Sequence, residues 1–331
     1  MRLDLLLKRE DFAKTFEISF ARYLFEVFNI SATVNWRNNT KDSNFLLVNP
    51  KLNVIYSKNI DRAKLKLIVS EYEYNPNLVR RFLQKIYIKL SISTYFEHLF
   101  AKTIVSVSPW IESFDEVCIV PGNQSIRIIN LETLTARVIL KEGFSSQSIR
   151  NEIYLRQKYK FLPIPKLLNV DTQSLWFEEL QVSALPFNRI DNQTIKDKIL
   201  IDVKRNLLKL YSETTIKIDI KNYVKSLYET CDNLITKLPE IYTKFDKKEI
   251  RDFFILLNET VKNFPDRTID LVQSHGDLQL GNILVGNNNS ELYLIDWEYT
   301  EKRSIFYDSL VLATDCRKLK ALAKRIKTIL D

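Results

Sequence analysis

Glycine, histidine and cysteine are all scarce in this chain, at five, two and three residues among 331. The glycines are too few and too scattered for a G-x-G-x-x-G run that wraps backbone round a phosphate. Two histidines, His98 and His275, cannot supply the several imidazoles on which metal-dependent phosphohydrolases usually draw. Cys118, Cys231 and Cys316 lie far apart without metal-ligand spacing, so they read as reduced, partly buried small side chains and no disulfide is expected. No apolar run approaches the roughly 18 residues that cross a bilayer. The amino terminus, MRLDLLLKREDF, has acids where a signal peptide would be uniformly apolar, and a cytoplasmic location is the expectation. Internal repeats and low-complexity tracts are missing as well.

What is present is an ordinary globular composition, 45% hydrophobic and 27% charged, in a chain long enough for two or three domains and a large core. The net charge of +8 would suit an anionic partner, yet the basic residues are spread out, and residues 201–331 hold 21 Lys/Arg against 20 Asp/Glu. A solvated Lys-rich surface is the plainer reading, and nucleic acid is not an expected partner.

Along the chain, EDFAKTFEISFARYLFEVFN (10–29) places Phe12, Phe16, Phe20, Leu24 and Val27 at helical spacing. Two short apolar runs around NPKL predict a small hairpin over 43–57, and residues 61–107 read as largely helical with a break at YNPN. From Asp115 the texture changes to EVCIVP, SIRIIN and ARVILK, separated by GNQ and LETLT, which predicts three antiparallel strands. A helix capped at Ser145 or Ser146 and ending before Pro163 follows, then a strand at LWFEEL (175–180). Residues 194–257 are mostly helical, with interruptions near Ile216–Asp219 and Pro239. A β-rich piece followed by a helix-rich piece implies an α+β protein.

Three of the five glycines, Gly276, Gly281 and Gly286, fall within eleven residues, in and just after SHGDLQLGNILV (274–285). NILV and LYLID, separated by the turn-rich GNNNSE, are expected to fold back on one another. If that hairpin is symmetric about Asn289, Ile283 pairs with Ile295 and Asn282 lies opposite Asp296. An amide oxygen and a carboxylate facing one small volume suit Mg²⁺, and Asp277 would stand at its edge. Metal held against nucleotide phosphates, plus a carboxylate that orients a hydroxyl and takes its proton, is what phosphoryl transfer requires.

The run His275, Gly276, Asp277, four residues, Asn282, followed by IDWE (295–298), resembles the aminoglycoside phosphotransferase and choline kinase families of the protein-kinase-like fold. The resemblance implies a bilobal architecture: an antiparallel-sheet N-lobe over 111–182, and a helical C-lobe over 183–331 that carries the catalytic and metal loops. An extra α/β region of unknown role, 1–110, precedes them. It implies ATP and Mg²⁺ as cofactors, with Asp277 as catalytic base and Asn282 and Asp296 as metal ligands. By the same resemblance Lys141, ending ARVILK, binds phosphates. Glu152 is its ion-pair partner, with Glu142 and Glu178 as alternatives. Gly122 occupies the turn of the phosphate-covering loop, and the backbone near Glu179–Gln181 holds adenine. His275 would shape the loop, Asp308 would steady the catalytic region, and Glu298 would cap or brace the metal loop.

The expected activity is transfer of the γ-phosphate to a hydroxyl of a sugar, glycan precursor or amino alcohol. Its alternative is a pseudokinase or regulatory nucleotide-binding module acting through the amino-terminal region. A polycationic aminoglycoside would call for an acidic cleft, of which the balanced charge of 201–331 gives no sign. The basic, aromatic stretch 78–100 could lie on a membrane surface, but core packing beneath a solvated face is the expected reading.

Overall fold

The structure is a computed structural model, and it describes residues 3–37, 44–73, 77–236, 244–263, 267–286 and 291–314. The tip of the 286–291 turn, Pro239, most of YNPN and Cys316 lie outside those residues. The chain divides into two compact units, Met1–Leu200 with Leu280–Glu298, and Ile201–Gln279 with Tyr299–Asp331.

The first unit is built on one sheet of nine strands. They are β1 (Thr33–Arg37), β2 (Leu46–Asn49), β3 (Val54–Ser57), β4 (Thr103–Ser108), β5 (Val117–Pro121), β6 (Ser125–Asn130), β7 (Thr135–Leu140), β8 (Leu167–Asp171) and β9 (Trp176–Leu180). Their spatial order is β1-β4-β2-β3-β5-β6-β7-β9-β8, and every pairing is antiparallel. The three strands expected from Asp115 onward are β5 to β7, joined by the two short turns. The hairpin expected over 43–57 is β2–β3. Strand β4 was not expected, since 61–107 reads as helical. Its β-branched Thr103, Ile104, Val105 and Val107 instead complete the sheet between β1 and β2. Residues from 1–110 and from 111–182 therefore share one sheet.

Alternation along the strands separates two apolar faces. Val117, Ile119, Ile126, Ile128, Ile139 and Trp176 share a core with helices α1 (Leu3–Arg9) and α2 (Phe12–Phe28), where Phe12, Phe16 and Phe20 are fully buried. Cys118, Ile129 and Ala136 pack with Leu65, Val69 and Ile88 of α3 (Arg62–Val69) and α4 (Leu78–Ser91). Val138, Leu140 and Phe177 pack with Ile149 and Ile153 of α6 (Gln147–Lys158), which follows the short α5 (Glu97–Phe100) in the chain. A second sheet in this unit joins β10 (Ala184–Pro186), β13 (Ile283–Gly286) and β14 (Leu292–Leu294).

The second unit holds α8 (Ile220–Thr236), α9 (Lys244–Lys262), α10 (Tyr307–Thr314) and the later part of α7 (Gln193–Thr214). It also holds a sheet of β11 (Ile216–Asp219), β12 (Thr268–Ser274) and β15 (Glu301–Ser304). The interruption expected near Ile216–Asp219 is β11.

Candidate functional site

In the second unit β12 delivers Ser274 into a loop that a single carboxylate organises. The His275 and Gly276 amides donate to Asp308 at 2.7 and 3.0 Å, and the Tyr211 hydroxyl donates to it at 2.8 Å. Asp308 is 1% exposed, so these donors stand in for the water it has lost. Burial, and then the Asp308 charge, push the Tyr211 phenol up, which keeps it a hydroxyl donor. The expected steadying role of Asp308 thus has a concrete form, and Tyr211 is a member that the sequence does not signal.

Gly276 sits in the left-handed region at φ +86°, where a Cβ would come within 2.1 Å of the Tyr299 carbonyl oxygen. Chirality and space both demand glycine there. Gly276→Ala is expected to lose about 2–3 kcal/mol of stability, from left-handed strain plus forced displacement of that backbone, measured by urea titration.

The His275 side chain is fully buried, and its Nδ1 accepts from the Asp277 amide at 3.3 Å, an interaction that shapes the loop. Asp277 is 5% exposed, and its carboxylate accepts from the side-chain amide of Gln279. That residue was also not singled out from sequence.

In the first unit, Asn282 ends a 3₁₀ turn, Leu280–Asn282, that leads into β13. The hairpin forms as expected, but its register is one residue from the expected one. Ile283 pairs with Leu294, Leu284 with Tyr293 and Val285 with Leu292. Asn282 consequently lies across from Ile295, whose amide donates to the Asn282 carbonyl at 3.0 Å, and Asp296 is not its direct partner. Asp296 instead leaves the ladder in the left-handed region, φ 68°, and is exposed. Next to it Trp297 is fully buried and donates its indole N–H to the Leu294 carbonyl at 3.0 Å. Asn282 before β13 and Asp296 after β14 flank the base of the hairpin, an amide oxygen and a carboxylate, hard donors of the kind Mg²⁺ takes while retaining waters. Among the described residues no group of three or more His, Cys, Asp or Glu side chains could hold a metal ion.

Lys141 follows β7 and is fully buried, but its partner is not Glu152. The ammonium bonds Glu10, between α1 and α2, at 2.6 Å, and lies over the rings of Phe144 and Phe12 at 4.4 and 5.5 Å. Burial pushes the Lys141 ammonium down, which Glu10 and, more weakly, the charge of Glu298 oppose. Burial would raise Glu10, yet the bonds from Lys141 and Arg9 hold its carboxyl below the usual range. Glu298, just past the β13–β14 hairpin, is therefore within electrostatic reach of Lys141. The alternatives are engaged elsewhere: Glu142 pairs with Arg22 at 2.6 Å and Glu178 with Arg137 at 2.9 Å.

Glu152 is displaced because Arg156, one helical turn on, takes it at 2.7 Å and also binds Glu179. Glu179 is fully buried and bonds Arg127 as well. Its carboxyl is held below the usual range because the Arg127 and Arg156 charges outweigh the burial that would raise it. Two amides of the Glu179–Gln181 segment, expected to hold adenine, are engaged within the fold. The Leu180 amide donates to Lys166 and the Gln181 amide to Leu134, both at 2.9 Å, and Glu179 is laddered between β7 and β8.

Gly122 does occupy the β5–β6 turn, a tight one closed by its amide on the Ser125 carbonyl at 2.9 Å. Asn123 in that turn accepts from Arg9 at 3.3 Å, and the Gln124 carbonyl accepts from the Lys141 amide at 2.9 Å. The turn, the lysine and the α1–α2 corner are thus one bonded group. Glu10 was missed from sequence because it lies 131 residues from Lys141.

A family model described as "Choline/ethanolamine kinase" matches residues 163–309. No curated protein matches the chain. Among solved structures, the choline kinase LicA from Streptococcus pneumoniae is 16% identical, with 66% of this chain and 72% of that one covered at a TM-score of 0.40. A choline/ethanolamine kinase family protein from Mesorhizobium loti is 11% identical, with 71% of each chain covered and a TM-score of 0.44. An aminoglycoside phosphotransferase from Streptomyces rimosus is 12% identical, with 62% of this chain and 82% of that one covered and a TM-score of 0.41. Over residues 163–309, which include the His275–Asn282 motif, Asp296 and Asp308, the chain resembles the choline/ethanolamine kinase family.

Proposed function

We propose that the protein is an ATP-dependent small-molecule kinase that phosphorylates a hydroxyl, with amino alcohols first among its acceptors and sugars or glycan precursors next. The observation that carries this reading is the 275–277 loop. A buried carboxylate takes two successive amides, and a glycine fits where no other residue would, which is far more organisation than a surface turn needs. The family match over residues 163–309 supports it.

In this reading Asp277 orients the acceptor hydroxyl and receives its proton. Asn282 and Asp296 would hold Mg²⁺, which when bound neutralises charge on the nucleotide phosphates. Lys141 binds phosphate oxygens, and Glu10 keeps its ammonium charged and aimed. Buried as it is, the lysine would otherwise be driven toward the neutral form. ADP release across a panel of amino alcohols, sugars and aminoglycosides tests the proposal. Turnover that depends on one acceptor class and on Mg²⁺ supports it, and acceptor-independent or absent turnover across the panel counts against it.

One observation favours a second reading, a regulatory nucleotide-binding module: the Lys141 partner comes from the amino-terminal region. If Glu10 positions Lys141, Glu10→Gln is expected to raise KM for ATP about tenfold, the size of one charge-assisted hydrogen bond. A fall in KM would mean that Glu10 competes with phosphate, and would favour regulation.

A further inference from the structure

Helix α4 faces the wrong way for a core helix. Its inward side carries Arg81, Gln84 and Tyr87, half-buried, with Ile88 and Ser91 buried. Its outward side carries Leu78, Val79, Phe82, Leu83, Ile86 and Leu90, each between 37% and 75% exposed. At 3.6 residues per turn these six fall within about 140° of arc, opposite the buried residues. The stripe continues into Tyr95 and Phe96, which are 82% and 46% exposed. Ile88 and Ile92 do pack in the core as expected, but the six-residue apolar stripe does not. The helix is nonetheless well made, with the Asn77 side chain accepting from the Arg80 amide at 3.1 Å.

Charge says what covers it. Residues 77–96 contain Arg80, Arg81, Lys85 and Lys89 and no acidic residue. The next acid, Glu97, is buried and bound to Arg62 at 2.8 Å. On the helical wheel Lys85 borders one edge of the apolar arc, Lys89 falls just inside that edge, and Arg80 lies well beyond the other. Basic residues at the margins of an apolar arc match an anionic interface, whereas a second copy laid against the first would bring like charges together. Fourteen residues make a helix of about 21 Å, too short to span about 30 Å of hydrocarbon, and no helix among the described residues is long and apolar enough to cross a membrane. The helix can lie in an interface but not cross it.

We infer that α4, with Tyr95 and Phe96, docks the protein on a membrane surface rich in anionic lipid, the apolar stripe entering the headgroup boundary and the basic residues meeting the headgroups. The inference is independent of the kinase reading. The test is co-sedimentation of the full chain with vesicles of phosphatidylcholine alone and of phosphatidylcholine with phosphatidylglycerol, beside sedimentation equilibrium without lipid. Binding is expected only to the anionic vesicles. It should weaken at least tenfold in Phe82→Asp and in the double variant Lys85→Glu/Lys89→Glu, and fall with added salt. All three substituted positions are exposed, so circular dichroism and the thermal midpoint should match the parent. Equal binding to both vesicles, binding to neither, or a dimer abolished by Phe82→Asp without vesicle binding would each overturn the inference.

Discussion

Asp277→Asn is expected to lower kcat for phosphate transfer by 10²- to 10⁴-fold, the usual worth of a positioned general base. By the transition-state relation that is about 3–5 kcal/mol of barrier. The substitution isolates the chemistry well. An asparagine keeps an oxygen to accept from Gln279, and the loop backbone is held by Asp308 rather than by Asp277 itself. KM for ATP and the thermal midpoint should therefore stay near the parent values. If kcat falls only because the protein has lost stability, Asp277 is a loop residue and the assignment of a base is wrong. Steady-state kinetics with parallel calorimetry separates the two.

The second large effect is on stability. Glu179 is fully buried and bonded to Arg127 and Arg156, while Arg156 has only Glu152 as its other carboxylate partner in this network. Glu179→Gln would leave a buried guanidinium undercompensated, and is expected to cost about 3–5 kcal/mol. Acid should mimic the substitution. The folded Glu179 carboxyl lies below the usual range, so its contribution is complete above the unfolded glutamate value of about 4.3. It is lost as pH falls through the lower folded value. Urea midpoints of the parent protein should drop across that window more steeply than those of Glu179→Gln. Parallel pH profiles would show that the network does not couple to folding.

The parts legible in the sequence were those fixed by local rules. Strands β5 to β7 follow from alternation between two short turns, and α2 from its phenylalanine spacing. The scarcity of glycine pointed to Gly276, where φ and space both require it. The parts not legible depend on distant partners. Strand β4 becomes a strand because β1 and β2 flank it, and the Glu10–Lys141 pair closes over 131 residues. The hairpin register differs by one because turn geometry, which residue order alone does not fix, sets which residues pair, and Asp296 lies beyond the ladder in a left-handed conformation that a non-glycine residue does not advertise. Helix α4 was recognisable as amphipathic, but periodicity reports that two faces differ and not which one the protein covers.

The central claim is that the Asp277, Asn282 and Asp296 segment transfers phosphate from ATP to an alcohol. Phosphorus-31 NMR of the protein with ATP, Mg²⁺ and an amino alcohol tests it most directly, because product and by-product resolve in one spectrum. The account predicts a phosphomonoester resonance growing in step with ADP, and its absence with Asp277→Asn. Inorganic phosphate in place of the phosphomonoester, or a product that forms equally well in the variant, would contradict it.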